Sequence, residues 1–150
     1  MPQSLARLYV HLIFSTKKRE YLLLNRVRDE LHAYMATVLQ NLGCPPVLIN
    51  STQDHGHVLF ELARTVAVSQ AVEDVKKFSS KWIKSQGADF MGFAWQTGYA
   101  AFSVSESNVT SVRDYVANQE EHHRQKSFQD EYRAFLDRHG VVWDEKYVWD

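Results

Sequence analysis

The stretch Gln53-Asp54-His55-Gly56-His57-Val58-Leu59-Phe60-Glu61-Leu62 places two histidines at the head of an alternating apolar run, the pattern of a β-strand. Side chains two residues apart in a strand point to the same face, so we expect His55 and His57 to present their imidazoles side by side. Two such imidazoles can bind one metal ion. Because a metal site needs further ligands, the pair alone is equally consistent with partly exposed histidines at a strand edge.

The spacing of apolar residues on either side of this strand predicts the rest of the fold. In chain order we expect a strand at 8–14, a helix at 26–42, a strand at 47–50, the histidine strand, a helix at 66–85, an aromatic strand at 93–104, and helices at 108–124 and 128–139. The first six elements have the ferredoxin-like order, an α+β fold in which one antiparallel sheet carries helices on one face. The other face is then open, and it carries His55, His57 and, from the first strand, His11.

Length and composition indicate one domain spanning residues 1–150. The single cysteine, Cys44, excludes an intramolecular disulfide and suits a reducing compartment. No apolar run approaches the length needed to cross a membrane, so we expect a soluble cytoplasmic protein without membrane partners.

The charge balance neither supports nor excludes nucleic-acid binding. The formal net charge is −1, whereas affinity for phosphates comes mostly from local clusters of Lys and Arg. Candidate clusters for DNA are Lys17, Lys18 and Arg19 after the first strand, and Lys76, Lys77, Lys81 and Lys84 in the second helix. Such clusters are more often simply solvated faces.

A second candidate feature lies in the penultimate helix, where Tyr115 and Gln119 are i,i+4 neighbours. A phenol beside an amide ligand suits a metal-assisted tyrosine nucleophile, since a nearby cation favours phenolate and polarises a phosphate. Tyr115 is also consistent with an ordinary amphipathic aromatic beside an apolar stripe. His122 and His123 follow, and each suits a metal ligand, a phosphate contact or a solvated residue.

Together these residues resemble the single-tyrosine HUH transposases of small bacterial insertion sequences, including the REP-associated tyrosine transposases. The resemblance spans nearly the whole chain, in the order Tyr9-Val-His-Leu-Ile-Phe-Ser-Thr-Lys17, Asp54-His-Gly-His57, Trp95-Gln-Thr-Gly-Tyr99, Tyr115-Val-Ala-Asn-Gln-Glu-Glu-His-His123 and Ser127-Phe-Gln-Asp-Glu-Tyr132.

The resemblance implies a metal-dependent enzyme that cleaves and rejoins single-stranded DNA near hairpins through a 5′-phosphotyrosine. It implies Tyr115 as the nucleophile, His55, His57 and Gln119 as ligands of Mg²⁺ or Mn²⁺, and a homodimer whose tyrosine helix often reaches the partner's histidines. DNA contacts would come from the basic clusters together with His11 and His123.

One position departs from the family pattern. The middle residue of the histidine motif is normally bulky and apolar, but here it is Gly56, which predicts a gap and a looser strand. Two alternatives therefore stay open. One is a domesticated hairpin DNA- or RNA-binding protein that stacks bases without cutting. The other is an unrelated metallohydrolase, for which Glu61 and His11 are the available additional ligands.

Overall fold

The computed structural model describes residues 2–150 as one sheet with helices on both faces. Its strands are β1 (Leu8–Ser15), β2 (Pro46–Ser51), β3 (His55–Leu62) and β4 (Ala100–Val104). Its α-helices are α1 (Asn25–Asn41), α2 (Val68–Lys84), α3 (Val109–Ala117), α4 (Gln119–His123) and α5 (Phe128–Arg138). In residues 2–150 no helix combines the length and the apolarity that a membrane crossing would need.

The sheet has the strand order β2-β3-β1-β4, and every neighbouring pair is antiparallel. This is the ferredoxin-like arrangement, which confirms the predicted fold class. The register places Ile13 of β1 opposite His57 and Ser15 opposite His55. The histidine strand therefore lies inside the sheet, hydrogen-bonded on both sides, rather than at an edge.

Alternation along the central strands divides the interior into two cores. The first core contains Val10, Leu12 and Phe14 of β1 with Val58 and Phe60 of β3, and it packs against α1 and α2. This face was predicted correctly, because the apolar residues recur at every second position.

The opposite face of the sheet is not free, contrary to the sequence-based expectation. Ile13, Ala100 and Phe102 pack there against Phe128, Tyr132 and Leu136 of α5, with Trp149 of the tail beside them. Helix α5 is well specified locally, since the Ser127 hydroxyl accepts a hydrogen bond from the Asp130 backbone N–H and Gly140 follows with φ +66°. The C-terminal helices thus form a second layer over the histidines.

Two predicted boundaries were wrong. The predicted strand at 93–104 is divided: Trp95 bridges to Thr16, and β4 begins only at Ala100. Between them the Lys76 ammonium donates to the carbonyls of Gln96, Thr97 and Gly98. The predicted helix at 108–124 is interrupted at Asn118, which has φ −101° and ψ 29°. The Asn50 side chain donates to the carbonyls of Val116 and Ala117 at 2.9 and 3.2 Å. In an uninterrupted helix these carbonyls would accept hydrogen bonds from backbone N–H groups of the next turn.

Candidate metal and tyrosine site

His55 is fully buried at the start of β3, and its two ring nitrogens have different surroundings. Its Nδ1 lies 2.7 Å from Oδ1 of Asp54 and 2.8 Å from the Thr52 hydroxyl. Its Nε2 has no hydrogen-bond partner among residues 2–150. A carboxylate that fixes one nitrogen while the other stays available is the usual arrangement of a metal-binding histidine. Sequence reasoning did not assign this role to Asp54, although the residue is adjacent to the motif.

His57 is also fully buried and lies between two further side chains. Its Nδ1 is hydrogen-bonded to Nε2 of His11 at 2.8 Å, and its Nε2 lies 3.0 Å from Oε1 of Glu131. Burial lowers the pKa of His57 to about 4. At neutral pH the His57 imidazole is therefore neutral, the form that binds metals.

His11 lies behind the site rather than on the surface. Its exposed fraction is 1%, and burial together with neighbouring His57 lowers its pKa to about 3. A neutral, buried His11 orients the His57 ring through their hydrogen bond. This position does not suit the direct DNA contact expected from the sequence.

Glu131 of α5 is the residue that the sequence reasoning missed. Its Oε1 lies 3.0 Å from Nε2 of His57 and 3.7 Å from Nε2 of His55, and its Oε2 lies 3.3 Å from Nε2 of His123. The residue is 2% exposed. Burial opposes its ionisation, but the adjacent imidazoles of His123 and His57 hold the pKa of Glu131 well below its usual range.

A signal for Glu131 was present in the sequence. Phe128, Tyr132 and Leu136 define the buried face of α5, and Glu131 falls on that same face at helical spacing. Glutamate is almost never fully buried unless it is paired. An acidic residue at a core position of an amphipathic helix therefore indicated a partner in the interior.

His123 completes a cluster that could hold a metal ion, in which one ligand atom each from His55, His57, His123 and Glu131 lies within 4.8 Å of the others. The sequence left His123 open as a metal ligand, a phosphate contact or a solvated residue, and its Nε2 lies in this cluster. Burial opposes its protonation, whereas the adjacent Glu131 carboxylate raises the pKa of His123. Glu61 lies elsewhere, paired with Arg7 at 3.3 Å, and so does not serve the metallohydrolase alternative.

Tyr115 reaches the same cluster from α3. Its hydroxyl donates a hydrogen bond to Oε2 of Glu131, and its ring centroid lies 6.0 Å from that of His57. The ring also stacks on His122 at 4.4 Å. Burial, and then the Glu131 carboxylate, raise the pKa of Tyr115. The tyrosine thus meets the histidines of its own chain.

Gln119 is fully buried as the first residue of α4. Its Nε2 donates to the Tyr115 carbonyl at 3.1 Å, and its Oε1 has no hydrogen-bond partner within the described part of the chain. The helix break at Asn118 therefore does not separate Gln119 from Tyr115. The amide oxygen remains available as a ligand.

The predicted basic clusters lie in two different places. Lys17, Lys18 and Arg19 form a 3₁₀ turn, and a surface groove places Lys18 and Arg19 beside Tyr21 and Asp54, on the histidine side of the molecule. Lys77 and Lys81 are exposed on α2, which packs against the other face of the sheet.

Two grooves approach the cluster from outside. One, of about 640 Å³, passes His123 and is bordered by Arg28, Arg124 and Lys126. The other, of about 360 Å³, lies on the far side of Tyr115 and is bordered by Phe135 and Arg138. The buried cluster is thus reached by paths that carry cationic side chains.

Comparison with known proteins decides the family. Residues 4–119 match the family described as "Transposase IS200 like". The chain belongs to this family. It is 23% identical over 118 residues to the ISDra2 transposase TnpA of Deinococcus radiodurans, an alignment covering 75% of this chain and 84% of the relative.

Two solved structures share the fold of this IS200-like transposase. A crystal structure of a transposase candidate from Deinococcus radiodurans R1 superposes with a TM-score of 0.62 at 24% identity, covering 79% of this chain and 98% of the other. The structure of a REP-associated tyrosine transposase bound to a REP hairpin superposes with a TM-score of 0.59 at 12% identity, covering 82% and 73%. The family match over residues 4–119 confirms the resemblance to single-tyrosine HUH transposases, and the chain is a tyrosine transposase. Helix α5, which carries Glu131, lies beyond the residues that match the family.

Proposed function

We propose that this transposase cleaves and rejoins single-stranded DNA beside hairpins, with Tyr115 as the nucleophile. The observation that carries the proposal is the meeting of the Tyr115 hydroxyl with the buried cluster of His55, His57 and Glu131. A phenol directed into a site with metal-ligand character is what tyrosine-dependent phosphoryl transfer requires.

The reaction would proceed by exchange of one phosphodiester for another. The Tyr115 oxygen bonds to phosphorus, its proton leaves along the hydrogen bond to Glu131 and ends on the departing 3′-oxygen, and the P–O3′ bond breaks. The products are a 5′-phosphotyrosine and a 3′-oxygen that takes up the proton. Because the phosphotyrosine conserves the bond energy, a 3′-hydroxyl can reverse the step and join strands without a nucleotide cofactor.

The reaction needs a positive charge near the phenol. Burial and Glu131 raise the pKa of Tyr115, so the residue stays protonated at neutral pH in the metal-free protein. His55, His57 and the Gln119 amide oxygen would hold Mg²⁺ or Mn²⁺, which polarises the phosphate and favours phenolate. The unpartnered, buried Nε2 of His55 and Oε1 of Gln119 fit this role.

Hairpin DNA is the proposed substrate because a transposase of the same fold has been seen bound to a REP hairpin. The strand would enter along the groove beside His123, where Arg124 and Lys126 can contact phosphates and exposed Tyr21 can stack on a base. We also propose the homodimer typical of the family, although Tyr115 needs no second chain to reach the histidines.

The experiment is a covalent-adduct assay. The protein is incubated with hairpin oligonucleotides taken from palindromes flanking its gene, with Mn²⁺ or Mg²⁺, and run on a denaturing gel. We expect a protein–DNA adduct that chelator abolishes and that Tyr115→Phe lacks while still binding the hairpin. Tyr147→Phe, at an exposed tyrosine, is the matched control and should form the adduct normally. A wild-type protein that binds these hairpins without forming any adduct would support the domesticated binder instead.

A further inference from the structure

We infer that Glu131 and His123, from the segment beyond the family match, are ligands of the catalytic metal alongside His55 and His57. The inference depends on the proposed function for its metal requirement. It assigns the C-terminal helices a direct role in the metal centre, in addition to closing the second face of the sheet.

The first support for this inference comes from the distances between the donor atoms. Ligands bonded at about 2.1 Å to one ion, at adjacent positions, lie roughly 3.0–3.4 Å apart. Glu131 Oε1 lies 3.0 Å from His57 Nε2, and Glu131 Oε2 lies 3.3 Å from His123 Nε2. His55 Nε2 is 3.7 Å from Glu131 Oε1. Two of these three distances match that spacing, and one ligand atom from each of the four side chains lies within 4.8 Å of the others.

The second support comes from two ring nitrogens that lack a hydrogen-bond partner. Nε2 of His55 and Nε2 of His123 are both buried, and neither has a protein hydrogen bond of acceptable geometry within residues 2–150. Both nevertheless lie within 4 Å of Glu131, at ion-pair distances. A cation bound between these nitrogens and the carboxylate would explain the arrangement, because the lone pair of each nitrogen would then point to the cation.

The carboxylate should contribute more than the amide at Gln119. An anionic oxygen in a buried site binds a divalent cation more strongly than a neutral amide oxygen does. Gln119 is in addition held to Tyr115 through its Nε2, which donates to the Tyr115 carbonyl. Gln119 would therefore be a weaker ligand than Glu131, and it also helps to position Tyr115.

The donor set also implies a preference among metals. Three imidazole nitrogens suit Mn²⁺ and later transition metals, whereas Mg²⁺ prefers oxygen ligands and retained waters. We therefore expect this site to bind Mn²⁺ more tightly than Mg²⁺.

The test measures Mn²⁺ binding directly, from the electron paramagnetic resonance signal of free Mn²⁺ in titrations of the DNA-free protein. We expect Glu131→Gln and His123→Gln each to weaken binding by at least about tenfold. Gln119→Ala, the comparison variant, should weaken it less than Glu131→Gln does. In wild-type protein, Mg²⁺ should displace Mn²⁺ only when present in large excess.

Mn²⁺ affinity within twofold of wild type in Glu131→Gln, with the fold intact by circular dichroism, would overturn the inference. If Glu131→Gln does not fold, His123→Gln decides by the same criterion, since His123 lies on the short surface helix α4. The adduct assay on wild-type protein is run in parallel. An adduct together with unchanged Mn²⁺ affinity in the variants refutes the ligand assignment and leaves the proposed function standing.

Discussion

The Tyr115 hydroxyl donates a hydrogen bond to the Glu131 carboxylate, although the two residues are sixteen positions apart and a separate short helix lies between them. The bond joins α3 to α5 directly over β3. The same carboxylate contacts His55, His57 and His123, so the proposed nucleophile and the candidate metal ligands share one buried anion. Tyr115 is therefore held in place within a single chain, before any DNA is present.

Metal binding should stabilise the fold. A ligand that binds only the folded chain raises the free energy of unfolding by about 2.7 kcal/mol at a hundred times its dissociation constant. We expect Mn²⁺ to raise the melting temperature of the wild-type protein, and His55→Ala to lose most of this increase because it removes a ligand. Differential scanning fluorimetry with and without chelator measures the effect. An equal increase in both proteins would show that Mn²⁺ binds elsewhere.

The metal-free protein should lose stability as the pH falls from about 6.5 toward 4. The folded-state pKa values of His57, about 4, and His11, about 3, lie below the ordinary value of 6.5, so the unfolded chain binds more protons in this interval. Each group adds up to about 1.4 kcal/mol per pH unit to the slope. The lowered pKa of Glu131 affects the pH dependence of stability only below about pH 4.5. There the stability contributed by the ionised carboxylate is progressively lost.

Urea unfolding in chelator across this pH range tests the assignment. His11→Gln removes one of these buried titrating groups, so we expect a shallower dependence of the free energy of unfolding on pH than in wild type. Parallel curves for the two proteins would show that His11 is protonated to the same extent in the folded and unfolded states.

Gly56→Ala should stabilise the protein by about 0.5–1 kcal/mol. A Cβ at this position would lie 3.8 Å from the Asn50 carbonyl oxygen and 3.9 Å from Cβ of Ser51, both ordinary contacts. Alanine also reduces the conformational freedom of the unfolded chain. Urea unfolding measures the gain. Gly43→Ala is the matched control and should destabilise, because Gly43 has φ +74°. A loss of stability in Gly56→Ala would mean that β3 needs glycine there.

The two basic clusters should differ in their effect on DNA binding. Lys18 and Arg19 lie on the histidine side, so replacing both by Ala should weaken hairpin binding and reduce the salt dependence of log K by about 2. Lys77 and Lys81 lie on the opposite layer, and the same double replacement there should have little effect. Fluorescence anisotropy over a range of salt concentrations compares them. Equal losses would indicate that DNA wraps around both layers.

The fold was largely predictable because its signals are periodic. Alternation in β1 and β3 fixed which residues meet α1 and α2, and Gly140 marked the end of α5. The short β4 was not predictable, since a single lysine on α2 binds the carbonyls before it. Such a replacement depends on tertiary contact and leaves no periodic pattern.

The candidate site was only half predictable for a related reason. His55 and His57 are visible as a motif because strand spacing brings them together locally. Glu131 joins them from another element through packing over the sheet, and only its place on the buried face of α5 indicated this. His11 was predicted on the correct face, but its burial could not be foreseen while that face was expected to be open.

The most direct test of the central claim identifies the residue that carries the DNA. The adduct formed with a flanking hairpin in Mn²⁺ is digested with nuclease and trypsin and analysed by mass spectrometry. Trypsin cleaves after Arg113 and Arg124, which isolates Tyr115 as the one tyrosine in residues 114–124. We expect the nucleotide remnant on this peptide, attached to Tyr115. A remnant on any other peptide, or no remnant in an active reaction, would contradict the assignment of Tyr115 as the nucleophile.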